Sequence, residues 1–319
     1  MVEKIRWGVL GNAKIAREKV IPAMQKGERS VVVAMASRDT AKAEPVCAAL
    51  GIERLHGRYE ALLADPNVDA IYNPLPNDLH VPWSIRAAEA GKHVLCEKPI
   101  GLSTNEALDL IAARDRNGVK IGEAFMARTH PQWLRTKELV ESGAIGELRL
   151  MTCVFSYFNR DAANIRNQVS AGGGALMDIG CYPVTLSRMI FGGEPVRVVS
   201  SVERDPEFGT DRLTSAILDY AQGQCVFSCS TQLNPYQRVI VFGSKGRVEI
   251  EIPFNALPDR PMRILVEPGG IVEEMPVCDQ YTIQGNLFSK AIQEDGVVPV
   301  PLEEALANMK VIERIFSGQ

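Results

Sequence analysis

The stretch GGGALMDIGCYPV (172–184) sets three glycines ahead of an aspartate and a tyrosine. Asp178 and Tyr182 are four residues apart. On a helix that spacing puts both on one face, with ~5–6 Å between their Cβ atoms. A carboxylate beside a phenol can move protons. Pro183 follows at once and removes a helical N–H, which predicts a kink or local distortion that sets where Tyr182 points. Other readings stay open on these residues alone. The glycines cradle a phosphate, or Asp178 is only a helix-start carboxylate and Tyr182 only packing.

A second glycine-bearing stretch, WGVLGNAKIA (7–16), follows an apolar run at the start of the chain. Gly8 and Gly11 bracket a turn, and Ala13 stands where a third glycine often sits. The spacing is not the full dinucleotide fingerprint. Its context is better, because a strand precedes it and a helix follows. A helix N-terminus there offers unpaired N–H groups to a pyrophosphate. The next strand ends in ASRDT, with Ser37 and Arg38 where an NAD site usually carries a carboxylate. A hydroxyl and a guanidinium suit a 2′-phosphate, so NADP is favoured over NAD. The plainer alternative makes Arg38 a solvated charge and Asp39 a helix cap.

The elements that must position these residues fall into two sets. Apolar runs at 5–10, 31–37, 54–56, 69–74, 93–97 and 119–125 read as strands, with helical patterns between them. Three of those patterns end in glycine (Gly51, Gly91, Gly118), the usual residue just past a helix. Ser103 and Glu106 form a capping box for the last. Alternation of this kind predicts an α/β fold with a doubly wound parallel sheet. After about residue 125 the pattern changes. One helix (131–143) leads into long strands at 147–158, 212–220, 224–232 and 238–252, the last folded at GSKG. That order predicts a second α/β domain with a mainly antiparallel sheet, interrupted by a helix near Ala175 and closed by an amphipathic helix. The expected domains are 1–124 and 125–319.

Composition agrees with a globular protein of 319 residues, 46% hydrophobic and 23% charged, with a net charge of −4. No basic run points to nucleic acid, and no apolar run approaches the ~20 residues of a membrane helix. The start, MVEKIRWGVLG, lacks a signal-peptide core, so a cytoplasmic location is expected. Seven scattered cysteines, with Cys225 and Cys229 nearest in sequence, have no histidine close by and read as reduced thiols, with no metal site expected.

AGKHVLCEKPIGLS (90–103) places Glu-Lys-Pro directly after a strand. Together with GVLGNAKIA, PNDLH (76–80) and GGGALMDIGCYPV, in that order over nearly the whole chain, it resembles the Gfo/Idh/MocA oxidoreductase family. Tyr182 is similar to the branch of glucose–fructose oxidoreductase, 1,5-anhydrofructose reductase, NADP-dependent xylose dehydrogenase and dimeric dihydrodiol dehydrogenase, where other branches carry histidine. The resemblance implies a Rossmann domain, a C-terminal domain with an open-faced sheet, subunit contacts through that sheet, and a terminal helix packed back on the first domain. It implies a homodimer or homotetramer acting on a sugar, polyol or cyclic diol. It maps the catalytic lysine onto Lys98, the acid/base onto Tyr182 and the supporting aspartate onto Asp178. Cofactor binding falls on Gly8, Gly11, Asn12, Ala13, Lys14 and Ile15, on Ser37 and Arg38, on Pro74, Leu75, Asn77 and His80, and on Glu97 and Lys98. Ala13 departs from the common glycine. The Lys98–Pro99 bond is expected to be cis.

The chemistry fits that assignment. A nicotinamide carries hydride, so the protein must carry a proton. A free tyrosine titrates near ~10, and a lysine ammonium beside it favours the phenolate. Arg128 and His130, on the segment joining the domains, and Asn164 and Arg166, ahead of the glycines, are candidate substrate residues, with a solvated loop as the alternative. Aldose 1-dehydrogenation is the first expected activity. Reduction of an anhydro- or keto-sugar and oxidation of a trans-dihydrodiol come next. A non-catalytic nucleotide sensor on the same fold is the rival of another class.

Overall fold

The computed structural model describes residues 3–318. The chain forms two compact units, one of residues up to Met126 together with Asp279–Leu306, the other of Ala127–Cys278 and the residues from Ala307 on. The expected break at 124/125 falls close to the first crossing. The return of the chain at Asp279 is a feature the sequence reading did not include.

In the first unit, β1 (Ile5–Leu10), β2 (Ser30–Ala36), β3 (Arg54–His56), β4 (Ala70–Asn73), β5 (His93–Glu97) and β6 (Ile121–Ala124) form one parallel sheet in the order β3-β2-β1-β4-β5-β6. The order reverses between β1 and β4, and ligands bind beyond the carboxyl ends of the strands at such a switch point. The connecting helices are α1 (Ile21–Gln25), α2 (Thr40–Leu50), α3 (Tyr59–Leu63), α4 (Asn77–Glu89) and α5 (Thr104–Asn117). Gly51, Gly91 and Gly118 all take positive φ (66°, 73° and 63°), as their places after helices require. Ser103 accepts from the Glu106 N–H at 3.2 Å, while the Glu106 carboxylate reaches back to the Leu102 N–H at 2.7 Å. The capping box thus closes one residue earlier than the ideal pattern.

The sheet is buried on both faces, as near-continuous apolar strands demand. Trp7 lies fully buried with its ring 5.6 Å from Phe288 and its Nε1–H donating to Ser289 Oγ at 3.1 Å. Each such side chain contributes ~1.5–3 kcal/mol by leaving water. Phe288 comes from α8 (Gln280–Gln293), a helix absent from the sequence reading. Its apolar stripe is interrupted by Gly285, which is there because a Cβ would stand 3.0 Å from Met24 Cγ.

The second unit holds α6 (Pro131–Glu141), α7 (Cys181–Phe191) and eight strands: β7 (Leu148–Phe158), β8 (Arg197–Arg204), β9 (Asp211–Tyr220), β10 (Gly223–Ser230), β11 (Gln232–Gly243), β12 (Arg247–Ile250), β13 (Arg263–Glu267) and β14 (Ile271–Glu274). Their order is β14-β13-β12-β11-β7-β10-β9-β8, antiparallel except for the β7–β10 pair. Cys225, Phe227 and Cys229 alternate with exposed or half-buried neighbours on β10, so both cysteines face the core. Burial pushes the Cys225 thiol up to about 12. The last helix, α9 (Leu302–Ser317), starts in the first unit and ends in the second. Among the described residues no helix is long and apolar enough to cross a membrane.

Candidate active site

In the first unit the carboxyl end of β1 turns at Gly11 and runs straight into helical backbone at Lys14. Gly11 has φ +78°, and its N–H donates to Ala36 O at 2.7 Å. A side chain there would sit 3.0 Å from Leu75 Cδ2, so the turn stays open only to glycine. Asn12 donates to Lys42 O at 3.3 Å, and its buried Oδ1 lacks a protein partner. An open glycine turn, an unpaired buried amide oxygen and a helix N-terminus make a fitting seat for a dinucleotide. Ala13 and Ile15 are half-buried around it and Lys14 is exposed. Gly8 is a correction. It lies inside β1 rather than in the turn, and its missing Cβ would meet Leu62 Cδ1 at 2.9 Å and Val68 Cγ1 at 3.0 Å. Its role is packing beneath α3.

At the tip of β2, Ser37 is buried. Its hydroxyl donates to Asp39 O and accepts from the Asp39 N–H, while Arg38 stands exposed. Asp39 caps α2 through the Lys42 N–H at 3.1 Å.

Beyond β4 and β5 lie the two motifs PNDLH and EKP. Pro74 and Leu75 are buried and Asn77 is half-buried at the start of α4. The Glu97 carboxylate accepts from Tyr72 Oη at 2.6 Å. Lys98 is half-buried, and the Lys98–Pro99 bond is cis. His80, expected on the cofactor, is instead 1% exposed with both ring nitrogens 2.7 Å from backbone carbonyls, those of Pro99 and Leu75. Burial, helped by the Lys98 charge, lowers its pKa to about 4.

In the second unit the helix carrying Tyr182 does begin irregularly. A π turn, Leu176–Gly180, precedes α7. Pro183 has no N–H to give to residue 179, so the wider turn falls where the regular ladder is already broken. Asp178 Oδ2 accepts from Tyr157 Oη at 2.6 Å and from Arg166 Nε at 2.8 Å. The carboxylate keeps the Arg166 guanidinium charged, and burial together with that carboxylate raises the Tyr157 phenol. Tyr182 lies in an aromatic group, 5.6 Å from Phe155 and 5.1 Å from Phe254 between ring centres. Asn164 holds Arg166 by accepting its N–H at 3.1 Å. Asp178, Arg166 and Asn164 are therefore brought together, and Tyr182 lies near enough to interact electrostatically with the Arg166 guanidinium. Tyr157 completes the group, and only its place at the end of a long strand marked it.

The glycine run has a reason of its own. Gly172 takes φ +72° at the end of a tight turn. A Cβ on Gly173 would meet Arg166 O at 2.5 Å, and one on Gly174 (φ +114°) would meet Asp211 Oδ1 at 1.9 Å. The run lets the loop bearing Arg166 close on the helix start; it makes no phosphate cradle. Asp211 Oδ2 in turn accepts from the Leu176 N–H at 2.7 Å and from Thr214 Oγ1 at 2.8 Å, capping that helix from β9. His130 is a second correction. It is 1% exposed and caps α6 by accepting from the Gln132 N–H at 3.3 Å, with Cys278 Sγ 3.6 Å from Nε2. Burial lowers it to about 4. Arg128 is half-buried in the turn Met126–Thr129.

Two family models match the chain. One describes an oxidoreductase family with an NAD-binding Rossmann fold and covers residues 5–125; the other describes the GFO/IDH/MocA C-terminal domain and covers 133–249. This chain belongs to the Gfo/Idh/MocA oxidoreductase family. Among Gfo/Idh/MocA relatives, an uncharacterised oxidoreductase of Rhizobium meliloti is 45% identical, over 98% of this chain and 96% of its own. D-xylose 1-dehydrogenase (NADP(+)) 2 of Haloferax volcanii is 37% identical over the same shares. A solved 3-ketoreductase from Actinomadura kijaniata, in complex with TDP-benzene and NADP, superposes with a TM-score of 0.92 at 29% identity, covering 99% of this chain and 98% of that one. An aldose-aldose oxidoreductase from Caulobacter crescentus gives 0.92 at 26% identity, with 99% and 97% covered.

Two outcomes follow from the helix start. Gly174→Ala should lower stability by at least ~3 kcal/mol, read from the denaturant midpoint, because its Cβ meets a carboxylate at a φ that alanine rarely adopts. Burial pushes the Asp211 carboxyl from its ordinary 3.8 up to about 6. The native state then binds the proton more tightly than the unfolded chain. The resulting stabilisation is full below about pH 4 and is lost, by about 3 kcal/mol, as pH rises through 6. Asp211→Asn should flatten the pH dependence of the midpoint over that window.

Proposed function

We propose that this oxidoreductase interconverts an alcohol and a carbonyl on a sugar or polyol, with NADP as hydride carrier and Tyr182 as acid/base assisted by Lys98. Aldose 1-dehydrogenation is the favoured reaction. The observation that carries the reading is the Asp178 group: a carboxylate held by Tyr157 and Arg166, four residues from Tyr182 across a π turn. Similarity to an NADP-dependent xylose dehydrogenase supports the substrate class. Similarity to a mouse trans-1,2-dihydrobenzene-1,2-diol dehydrogenase (34% identical) keeps cyclic diols as the second substrate class, and similarity to the 3-ketoreductase keeps reduction of a keto-sugar as the other direction.

NADP supplies hydride transfer when bound, and the protein's residues do the rest. Gly11, Asn12 and the helix start at Lys14 take the pyrophosphate, and the exposed Arg38 at the β2 tip takes the 2′-phosphate. In oxidation, Tyr182 Oη removes the hydroxyl proton; in reduction it returns it. The Lys98 ammonium favours the phenolate over the phenol, and so brings the base into use near neutral pH. Asp178 orients the substrate hydroxyl and balances that positive charge. Arg166 and Tyr157 hold the carboxylate in place by donating to its Oδ2. We further propose a homodimer or homotetramer through the second sheet. Its outer face carries the exposed apolar side chains Val154, Val199, Val226 and Tyr236 on β7, β8, β10 and β11.

Purified protein tests the reading directly. Tyr182→Phe should cut kcat by ~10²–10⁴-fold on an aldose or polyol, with Lys98→Met comparable. Turnover left intact in both would overturn the mechanism. Arg38→Ala should raise KM for NADP by ~10–100-fold, the worth of one charge-assisted contact, and leave KM for NAD nearly unchanged. Equal loss with both cofactors would remove Arg38 from the 2′-phosphate site.

A further inference from the structure

His80 sits in the first turn of α4, 1% exposed, between two loops that both leave the carboxyl edge of the parallel sheet. Its Nδ1 lies 2.7 Å from Pro99 O, and its Nε2 lies 2.7 Å from Leu75 O. The first carbonyl belongs to the residue directly after Lys98; the second belongs to the loop after β4. That loop is already held without the imidazole. Asn73 Oδ1 accepts from the Leu75 N–H at 3.3 Å, and Asn73 Nδ2 donates to His80 O at 3.0 Å and to Ser84 Oγ at 3.1 Å.

A neutral imidazole donates from one nitrogen at a time and accepts at the other. Burial and the nearby Lys98 charge keep this ring neutral at pH 7. Two carbonyl oxygens therefore compete for one N–H. The β4 loop has the Asn73 clamp as its substitute; His80 is the side-chain contact seen at the Pro99 carbonyl. We infer that His80 is a positioning residue for Lys98, holding the lysine's turn by donating from Nδ1 to the Pro99 carbonyl. It touches neither substrate nor cofactor and acts only through the lysine. The inference rests on Lys98 serving as the cation of the acid/base step.

The chemistry of asparagine and glutamine separates the two contacts. The asparagine amide nitrogen stands two bonds from Cβ, as Nδ1 does; the glutamine amide nitrogen stands three bonds away, as Nε2 does. His80→Asn keeps a donor for Pro99 O, and His80→Gln keeps one for Leu75 O. Steady-state kinetics on an aldose or polyol, NADP titration by fluorescence and thermal melting are measured for H80A, H80N and H80Q. H80A and H80Q should lose ~10–100-fold in kcat, and H80Q should retain the NADP Kd within about threefold. H80N should recover most of the kcat lost in H80A. In a K98M background H80Q should cost nothing further, because both changes remove one function.

Equal loss in H80N and H80Q, rescue by H80Q instead of H80N, or a further loss of H80Q on top of K98M would each overturn the inference. So would full kcat in H80A. The H80N and H80Q pair carries the test if H80A does not fold. Full turnover in K98M alone would overturn the acid/base reading, and this inference with it. A K98M loss beside an unaffected H80Q would overturn the inference alone.

Discussion

One half-buried carboxylate, Asp178, organises the start of the helix that carries Tyr182. Asp178 loses part of its water, and the loss is offset only if strong donors replace it. Tyr157 and Arg166 are those donors, and both converge on one oxygen. Bringing Arg166 to that point needs its loop to close on the helix start. The closing needs two residues without side chains, Gly173 and Gly174, because carbonyl and carboxylate oxygens fill the space a Cβ would take, and a third, Gly172, for its positive φ. Asp211 then caps the same helix start from β9. A charge, a loop, a glycine run and a cap are thus successive consequences of one desolvated group.

The first unit meets a different demand at its own carboxyl edge. Its turns have to be open enough for a dinucleotide and still fixed. Gly11 provides the opening through its positive φ, and the Asn73 and His80 side chains provide the fixing by bonding backbone that no strand pairs. Both π turns among the described residues, Ala16–Val20 and Leu176–Gly180, lie just ahead of a proline, Pro22 and Pro183. A missing N–H makes the regular helical ladder incomplete there already, so a wider turn costs less than it would elsewhere. Each stands next to a stretch to which we assign a chemical task, the glycine turn in one unit and Asp178 with Tyr182 in the other.

Where the sequence reading went astray, it was at residues whose type admits two roles. His80 and His130 have the chemistry to touch ligands, yet both are buried caps or clasps for backbone. Gly8 looked like half of a phosphate turn and is a strand glycine under Leu62 and Val68. Helix α8 was invisible because its apolar stripe is interrupted by Gly285, which makes sense only against Met24. Strand β8 alternates exposed and more buried positions but buries only Val198 fully, and β13 and β14 are just five and four residues long, too short for a clear period.

By itself the sequence determined the parallel sheet, the long strands of the second sheet, the helix around Tyr182 and its distortion at Pro183. These follow from local periodicity, turn residues and a missing N–H, all of which act within a few residues. It also singled out Asp178, Tyr182 and Arg166, which lie within twenty residues of one another. Tertiary structure alone decided what Asp178 is bonded to, why residues 173 and 174 are glycines, and which histidines serve the backbone. Those outcomes depend on atoms brought in from elsewhere in the chain, Tyr157 and Asp211 on one side and Pro99 on the other. Distance along a sequence carries no information about which oxygen fills the space beside a missing Cβ.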